Sequence, residues 1–409
     1  MKKLFLFVIG ILLATQSFSI NKFLVAGGTG NWNSTTNWSL ISGGVSGAAF
    51  PTSADAVFID AGSANANLTV NTSSACASIS FVNGHTGTFT ISSGLAVGGS
   101  VTLGSGMTIT GTATMTVNAT GTLTSNGKTW TGGLTFTGTA QTYTFADNWT
   151  VTGTVTLQGS TSTTINGSTL SCASSLVSNS TITSGTTNFV MTGTGTISCA
   201  FSSRTLNNNL QINTAGTITM GTTLPFIYGV GTFLYTAGTL VNTGSVLAIS
   251  SSCTFNMSGI TWPAITFQTN TPIVFTLGSP LLVTTLTVTS VSVTFAGAHN
   301  ATIGSLVYTN GNSLRQITFV AGQTYTITTS ISVTGNYIVT NAQKFVSSSP
   351  GSTYNLILTS GITQDNMFLD VTDAVSSGGA TGWTYKGTLS NTTNWNVLPT
   401  QPQTITTAN

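Results

Sequence analysis

Met107-Thr108-Ile109-Thr110-Gly111-Thr112-Ala113-Thr114-Met115-Thr116-Val117 alternates threonine with apolar residues on either side of a glycine corner. Successive side chains of a strand point to opposite faces, so this run sets hydroxyls on one side and apolar groups on the other. Thr154-Val155-Thr156-Leu157 repeats the texture, which fills most of the 409 residues. The chain therefore reads as a long series of short strands. No stretch of 3.6-residue periodicity competes with it. The eight prolines, among them Pro225, Pro263, Pro272 and Pro280, suit strand ends.

Charge is almost absent. Eight Lys and Arg and six Asp make up 3% of the residues, and Glu does not occur. A soluble domain ordinarily carries about a quarter charged residues, so solubility here must rest on hydroxyls and amides. Disorder is the other reading of low charge with much Gly, Ser and Thr. It conflicts with 40% hydrophobic residues at regular positions.

The first residues have the form of an export signal. Lys2 and Lys3 precede an apolar run from Leu4 to Leu13, and Ser17-Phe18-Ser19 offers small residues for cleavage after Ser19. The apolar run is shorter than the roughly 20 residues needed to span a bilayer. Cleavage would leave Lys22, Lys128, Arg204, Arg315, Lys344 and Lys386 against six Asp, a formally neutral chain. We expect a secreted or cell-surface protein without a transmembrane anchor after cleavage. Nucleic acid and anionic membranes are excluded as partners, since both require clustered basic residues.

The organisation expected is a signal peptide at 1–19, an N-terminal cap segment at 20–72, a β-solenoid repeat region at 73–340, further strands at 341–376 and a Trp-containing tail at 377–409. Thr-Gly-Thr corners recur at Thr110-Gly111-Thr112, Thr137-Gly138-Thr139, Thr152-Gly153-Thr154 and Thr192-Gly193-Thr194. The first two lie 27 residues apart, as do Cys172 and Cys199, which suggests a coil of about 27 residues with three strands and three turns. Sandwiches and barrels seldom extend one core beyond about 250 residues. A solenoid adds coils freely because each needs only its neighbours. The fold class is thus all-β, a parallel β-helix with Trp-containing terminal segments; tandem β-sandwiches are the alternative. Val117, Leu157, Ile182, Ile218 and Phe295 should face in, and Thr116, Thr156, Thr181, Thr217 and Thr294 out.

Few residues offer chemistry. Asn31-Trp32-Asn33 to Asn37-Trp38 near the start is echoed by Asn394-Trp395-Asn396 near the end. Trp32, Trp38 and Trp395 could stack on sugar rings, or they could cover the open ends of a solenoid core. Asp365, Asp370 and Asp373 lie close in sequence, as do Asp55 and Asp60, and either set could supply general acid and base or bind Ca²⁺ through oxygen ligands; we take the first as the candidate metal set. His85 and His299 are isolated, and no Gly-x-Ser-x-Gly elbow is present. Cys76, Cys172, Cys199 and Cys253 form no metal-binding pair; Cys172 with Cys199 is the closest couple for a disulfide, and burial as small core residues is equally consistent.

One resemblance bears on the whole chain. Gly27-Gly28-Thr29-Gly30-Asn31-Trp32-Asn33, Thr36-Asn37-Trp38-Ser39, Ser42-Gly43-Gly44, and Pro51-Thr52-Ser53-Ala54-Asp55 with Val57-Phe58-Ile59-Asp60 resemble the opening of uncharacterised secreted or virus-associated Thr/Gly-rich β-solenoid, adhesin-like repeat proteins. Lys128-Thr129-Trp130, the stretch from Tyr143 to Thr154, Val293-Thr294-Phe295-Ala296-Gly297-Ala298, Ser377-Gly378-Gly379-Ala380 and Thr381-Gly382-Trp383 are similar to the same group. The resemblance implies a repetitive extracellular or virion-appendage role and supplies no active site.

Together these readings lead us to expect an exported, non-enzymatic structural or adhesive β-solenoid without a cofactor. Its partners would be surface or environmental polysaccharide, or further copies of itself. A lectin-like glycan-binding protein is the alternative. An ice-binding protein, suggested by the Thr-x-Thr runs, and a polysaccharide-degrading β-helix enzyme stand further off.

Overall fold

A computed structural model describes residues 19–25, 27, 29–159, 163–179, 182–199, 205–222, 226–269, 271–289, 291–309, 315–334, 343–398 and 405–406. The leader through residue 18, Thr181 and Arg204, and the side chain of Ile182, lie outside the described residues. The strands are stacked in parallel, as a β-solenoid requires. Among the described strand pairs two alone are antiparallel, Asn21–Leu24 with Trp38–Ser39 and Thr363–Met367 with Ile405–Thr406. That excludes the sandwich alternative, whose sheets are built from antiparallel neighbours. The chain forms two compact units, residues 1–175 and 176–409.

In the first unit the strands are β1 (Asn21–Leu24), β2 (Thr29–Asn31), β3 (Trp38–Ser39), β4 (Ala56–Ile59), β5 (Asn67–Val70), β6 (Ser74–Cys76), β7 (Ser78–Phe81), β8 (Thr88–Ile91), β9 (Leu95–Val97), β10 (Val101–Thr102), β11 (Thr108–Gly111) and β12 (Met115–Val117). They fall on three faces. Face A stacks β1, β4, β7 and β10; face B stacks β2, β5, β8 and β11; face C stacks β6, β9 and β12 and continues into Leu134–Phe136 and Val155–Gln158. Parallel stacking thus already begins within the 20–72 segment, where β1 lies on β4.

Each face holds its core in columns of equivalent residues. On face C the column is Cys76, Val97, Val117, Phe136 and Leu157, all buried. On face A it is Val57, Ile79, Val101, Leu123 and Phe145, also buried. Steps along the first column are 21, 20, 19 and 21 residues, which corrects the 27-residue coil. The misleading corners are not equivalent positions: Gly111 ends a face B strand, whereas Gly138 follows a face C strand. Counting between them adds part of a coil.

The second unit stacks Gly231–Val241, Cys253–Asn256, Ile273–Leu277, Val293–Ala296, Gln316–Phe319 and Gln343–Ser347 on one side. Opposite strands such as Leu281–Thr289 and Ala301–Thr309 are longer and turn a corner midway. In Leu281–Thr289 the alternation breaks at Thr284-Thr285, which both face outward. Gly304 occupies the next corner above it, where a Cβ would stand 2.4 Å from the Thr284 carbonyl oxygen. Phe233, Phe255, Phe275, Phe295, Phe319 and Phe345 form a continuous aromatic series, with successive ring centroids 5.9, 5.6, 6.1, 5.8 and 5.3 Å apart. In the final segment Gly382–Tyr385 and Trp395–Leu398 also pair in parallel.

The inside-outside assignment holds where it is described. Val117, Leu157, Ile218 and Phe295 are buried, while Thr116, Thr156, Thr217 and Thr294 are half-buried between the rungs above and below.

Candidate functional site

Face B carries a regular polar surface in the first unit. The residues of β2, β5, β8 and β11 that point outward form two columns, Thr29-Asn67-Thr88-Thr108 and Asn31-Thr69-Thr90-Thr110. Strand spacing sets rows about 4.8 Å apart, and two residues along a strand set the columns about 6.7 Å apart. The inward partners Leu68 and Phe89 are buried and fix the register, because a one-residue slip would carry them to the solvent. Thr29, Asn31, Asn67, Thr108 and Thr110 are exposed, and Thr69, Thr88 and Thr90 half-buried.

Neighbouring rows hold one another in place. Thr90 Oγ1 and Thr110 Oγ1 lie 2.9 Å apart, and Asn67 Oδ1 accepts from Thr88 N at 2.7 Å. None of these eight residues is charged. The array therefore offers hydroxyls, amides and methyls at fixed spacing to a neutral surface of similar chemistry. The Thr-x-Thr runs were visible in the sequence, but their alignment with Asn31 and Asn67 required the register.

The Trp residues are placed elsewhere and are buried. Trp32 and Trp38 are 1% and 0% exposed, meet edge to face at 5.3 Å, and are joined by Trp38 Nε1 donating to Trp32 O at 2.7 Å. Trp395, in the second unit, is buried too, its indole lying over Gly382, where a Cβ would come within 2.6 Å of the ring. No ring face is left open for a sugar. This geometry replaces the stacking reading with a packing role at the first coil and in the closing segment.

The acids are not gathered into a ligand set. Asp365 is exposed on Thr363–Met367. Asp370 Oδ1 accepts from Thr388 N and Oγ1, both at 2.8 Å. Asp373, in the left-handed region at φ 57°, accepts from Gly351 N at 3.0 Å and Asn391 Nδ2 at 2.6 Å. Asp55 takes Thr52 N and Oγ1, Asp60 takes Gly62 N, and Asp147 takes Ser125 N and Asn126 N. Among the described residues no group of three or more His, Cys, Asp or Glu could hold a metal ion. Asp55, Asp60, Asp147, Asp370 and Asp373 thus tie turns and successive coils together, and Asp365 stands apart from them on the surface.

His85 is buried against Phe81, with ring centroids 5.3 Å apart, and its Nδ1 has no partner. Burial lowers its pKa below the usual 6.5. All four cysteines are buried and none is in a disulfide. Burial pushes the thiols of Cys76, Cys172 and Cys253 up to about 12, so they are not poised as nucleophiles.

Among known proteins, no family model matches the chain, and the searches of curated proteins and of solved structures returned no match.

Proposed function

We propose that the protein is an exported, non-enzymatic structural and adhesive element of a cell surface, matrix or virion appendage. It holds a neutral polyhydroxylated surface, such as a polysaccharide, through the lattice on face B. The observation that carries this reading is the pair of Thr/Asn columns on β2, β5, β8 and β11, kept in register by the buried residues beneath them. A single hydroxyl contact contributes only about 0.5 to 1.5 kcal/mol net. Several in fixed geometry add up, because a pre-organised array loses little entropy on binding.

The test replaces Thr69, Thr90 and Thr110 together with Val, which keeps the branched shape and removes the hydroxyls. The parent should be retained on insoluble polysaccharide and on a glycan array, with little dependence on salt because no ions are displaced. The triple variant should melt near the parent temperature and bind at least about tenfold more weakly, the consequence of losing roughly 1.4 kcal/mol or more. Equal retention of the two proteins would remove face B as the binding surface. The two-dimensional regularity also suits ordered water; adsorption of the parent to ice in place of glycan would favour ice binding.

A further inference from the structure

The first coil of the first unit is incomplete. It supplies β1 to face A and β2 to face B, then leaves the stack through Trp32-Asn33 and the 3-10 turn Thr35–Asn37, and returns at β4 without laying a strand on face C. On face A, β3 covers β1 as an antiparallel edge. On face C, β6 pairs with β9 and with no other strand among the described residues. A groove opens along that edge, lined by Trp32, Asn33, Phe50, Pro51, Thr52 and the stretch from Thr72 to Ala75.

The backbone of β6 is turned toward this groove at one residue. Ser74 N donates to Gly94 O at 3.0 Å and Cys76 O accepts from Gly98 N at 2.8 Å, so both residues address β9. Successive residues of a parallel strand address opposite neighbours. Ala75 therefore directs its N–H and C=O into the groove, the side on which Ala77 N already donates to Asp55 O at 2.8 Å.

The wall beside this edge is apolar and neutral, with Trp32, which is 1% exposed, packed at its base. Phe50 stands at the wall 45% exposed, and no lining residue is charged.

We propose that this groove accepts an extended, uncharged polypeptide segment, which enters parallel to β6 as the missing first-coil strand of face C. Its backbone bonds to Ala75 N–H and C=O. Residues opposite Ser74 and Cys76 face inward and must be apolar, since they extend the columns that run on through Leu95, Met115 and Leu134 and through Val97, Val117 and Phe136. The residue between them faces out and is small or polar. This is strand addition to an open sheet edge, with backbone bonds giving affinity and alternate side chains giving selectivity.

The probe is a labelled peptide with the sequence of residues 113–119, which carries β12 and already has the required alternation. Titrated into the full chain and followed by fluorescence anisotropy, it should bind saturably. Methylating the peptide nitrogen at Val117, which would donate to Ala75 O, should weaken binding about tenfold, the loss of one buried hydrogen bond. Ala75→Pro, which deletes the edge N–H, should do the same, and Phe50→Ala should weaken binding while leaving the melt unchanged. If Ala75→Pro fails to fold, the methylated peptide decides alone, because it leaves the protein unaltered. No saturable binding at about 1 mM peptide, which would mean less than about 4 kcal/mol of affinity, overturns the proposal. Equal binding of the parent, methylated and scrambled peptides overturns it as well. Self-association of the chain that the peptide disperses would support it and identify a second copy as the donor.

Discussion

Trp38 shows what the aromatic residues contribute. It is wholly buried, edge-on to Trp32, and its indole N–H is used by the Trp32 carbonyl. Trp38→Ala should therefore cost about 3 to 5 kcal/mol, the usual range for truncating a large buried aromatic. Chemical denaturation with folding monitored by circular dichroism checks this, and a variant as stable as the parent would refute the packing role. His85 gives a pH dependence of definite sign. Burial lowers its folded-state pKa below 6.5, so the unfolded chain takes up a proton at mild acidity that the folded chain refuses. Its neutral form is fully compatible with the fold above pH 6.5, and stability should decline as pH falls below that value toward the folded pKa. Melting temperatures at pH 7.5 and 5 should show this fall in the parent and a smaller one in His85→Leu.

At the level of elements, the scarce acids act as braces between coils. Asp147 in one coil accepts Ser125 N at 2.7 Å and Asn126 N at 2.6 Å from the coil before it. Asn126 has a positive φ of 49° beside Gly127 at 76°, a two-residue turn that leaves those N–H groups pointing away from any strand. Asp147→Ala should destabilise by about 1 to 3 kcal/mol, the cost of leaving such donors without partners. Asp147→Asn, which keeps one acceptor oxygen, should cost less. Thermal melts of the two variants give the comparison, and equal melting of parent and Asp147→Ala would show that the brace is dispensable. The alternation that made the strands legible says nothing of such braces. A lone Asp in a Thr-rich run looks the same whether it binds an ion, catalyses a reaction or holds a turn.

For the molecule as a whole, composition and architecture agree. A chain with 3% charged residues remains orderly because each unit buries apolar columns and turns hydroxyls outward. Among the described residues, five of the nine exposed large apolar side chains, Ile20, Leu40, Ile41, Val45 and Phe50, fall within the first 50 residues, and Val230, Val241, Val274 and Val397 are scattered through the second unit. An edge with uncovered backbone and apolar neighbours is the usual place for strand addition. The face B lattice and the β6 groove are thus separate surfaces of one unit, the former proposed for a repetitive polyhydroxylated partner and the latter for a single strand.

Alternation of Thr with Val, Ile, Leu and Phe was enough by itself to determine strands and their inward and outward sides, because a period of two is a property of the chain alone, and the length favoured a solenoid over tandem sandwiches, a choice that only the parallel pairing of the strands decided. Coil length was not determined this way, since Gly111 and Gly138 look alike in sequence and occupy different places in the coil. Whether Trp38 met solvent, which groups Asp370 and Asp373 bonded to, and whether Asn67 stood beside Thr88 were decided only by the tertiary structure. The acids and Asn67 depend on residues about 20 positions away, which register between coils brings together, and Trp38 depends on the turn that sets it against Trp32.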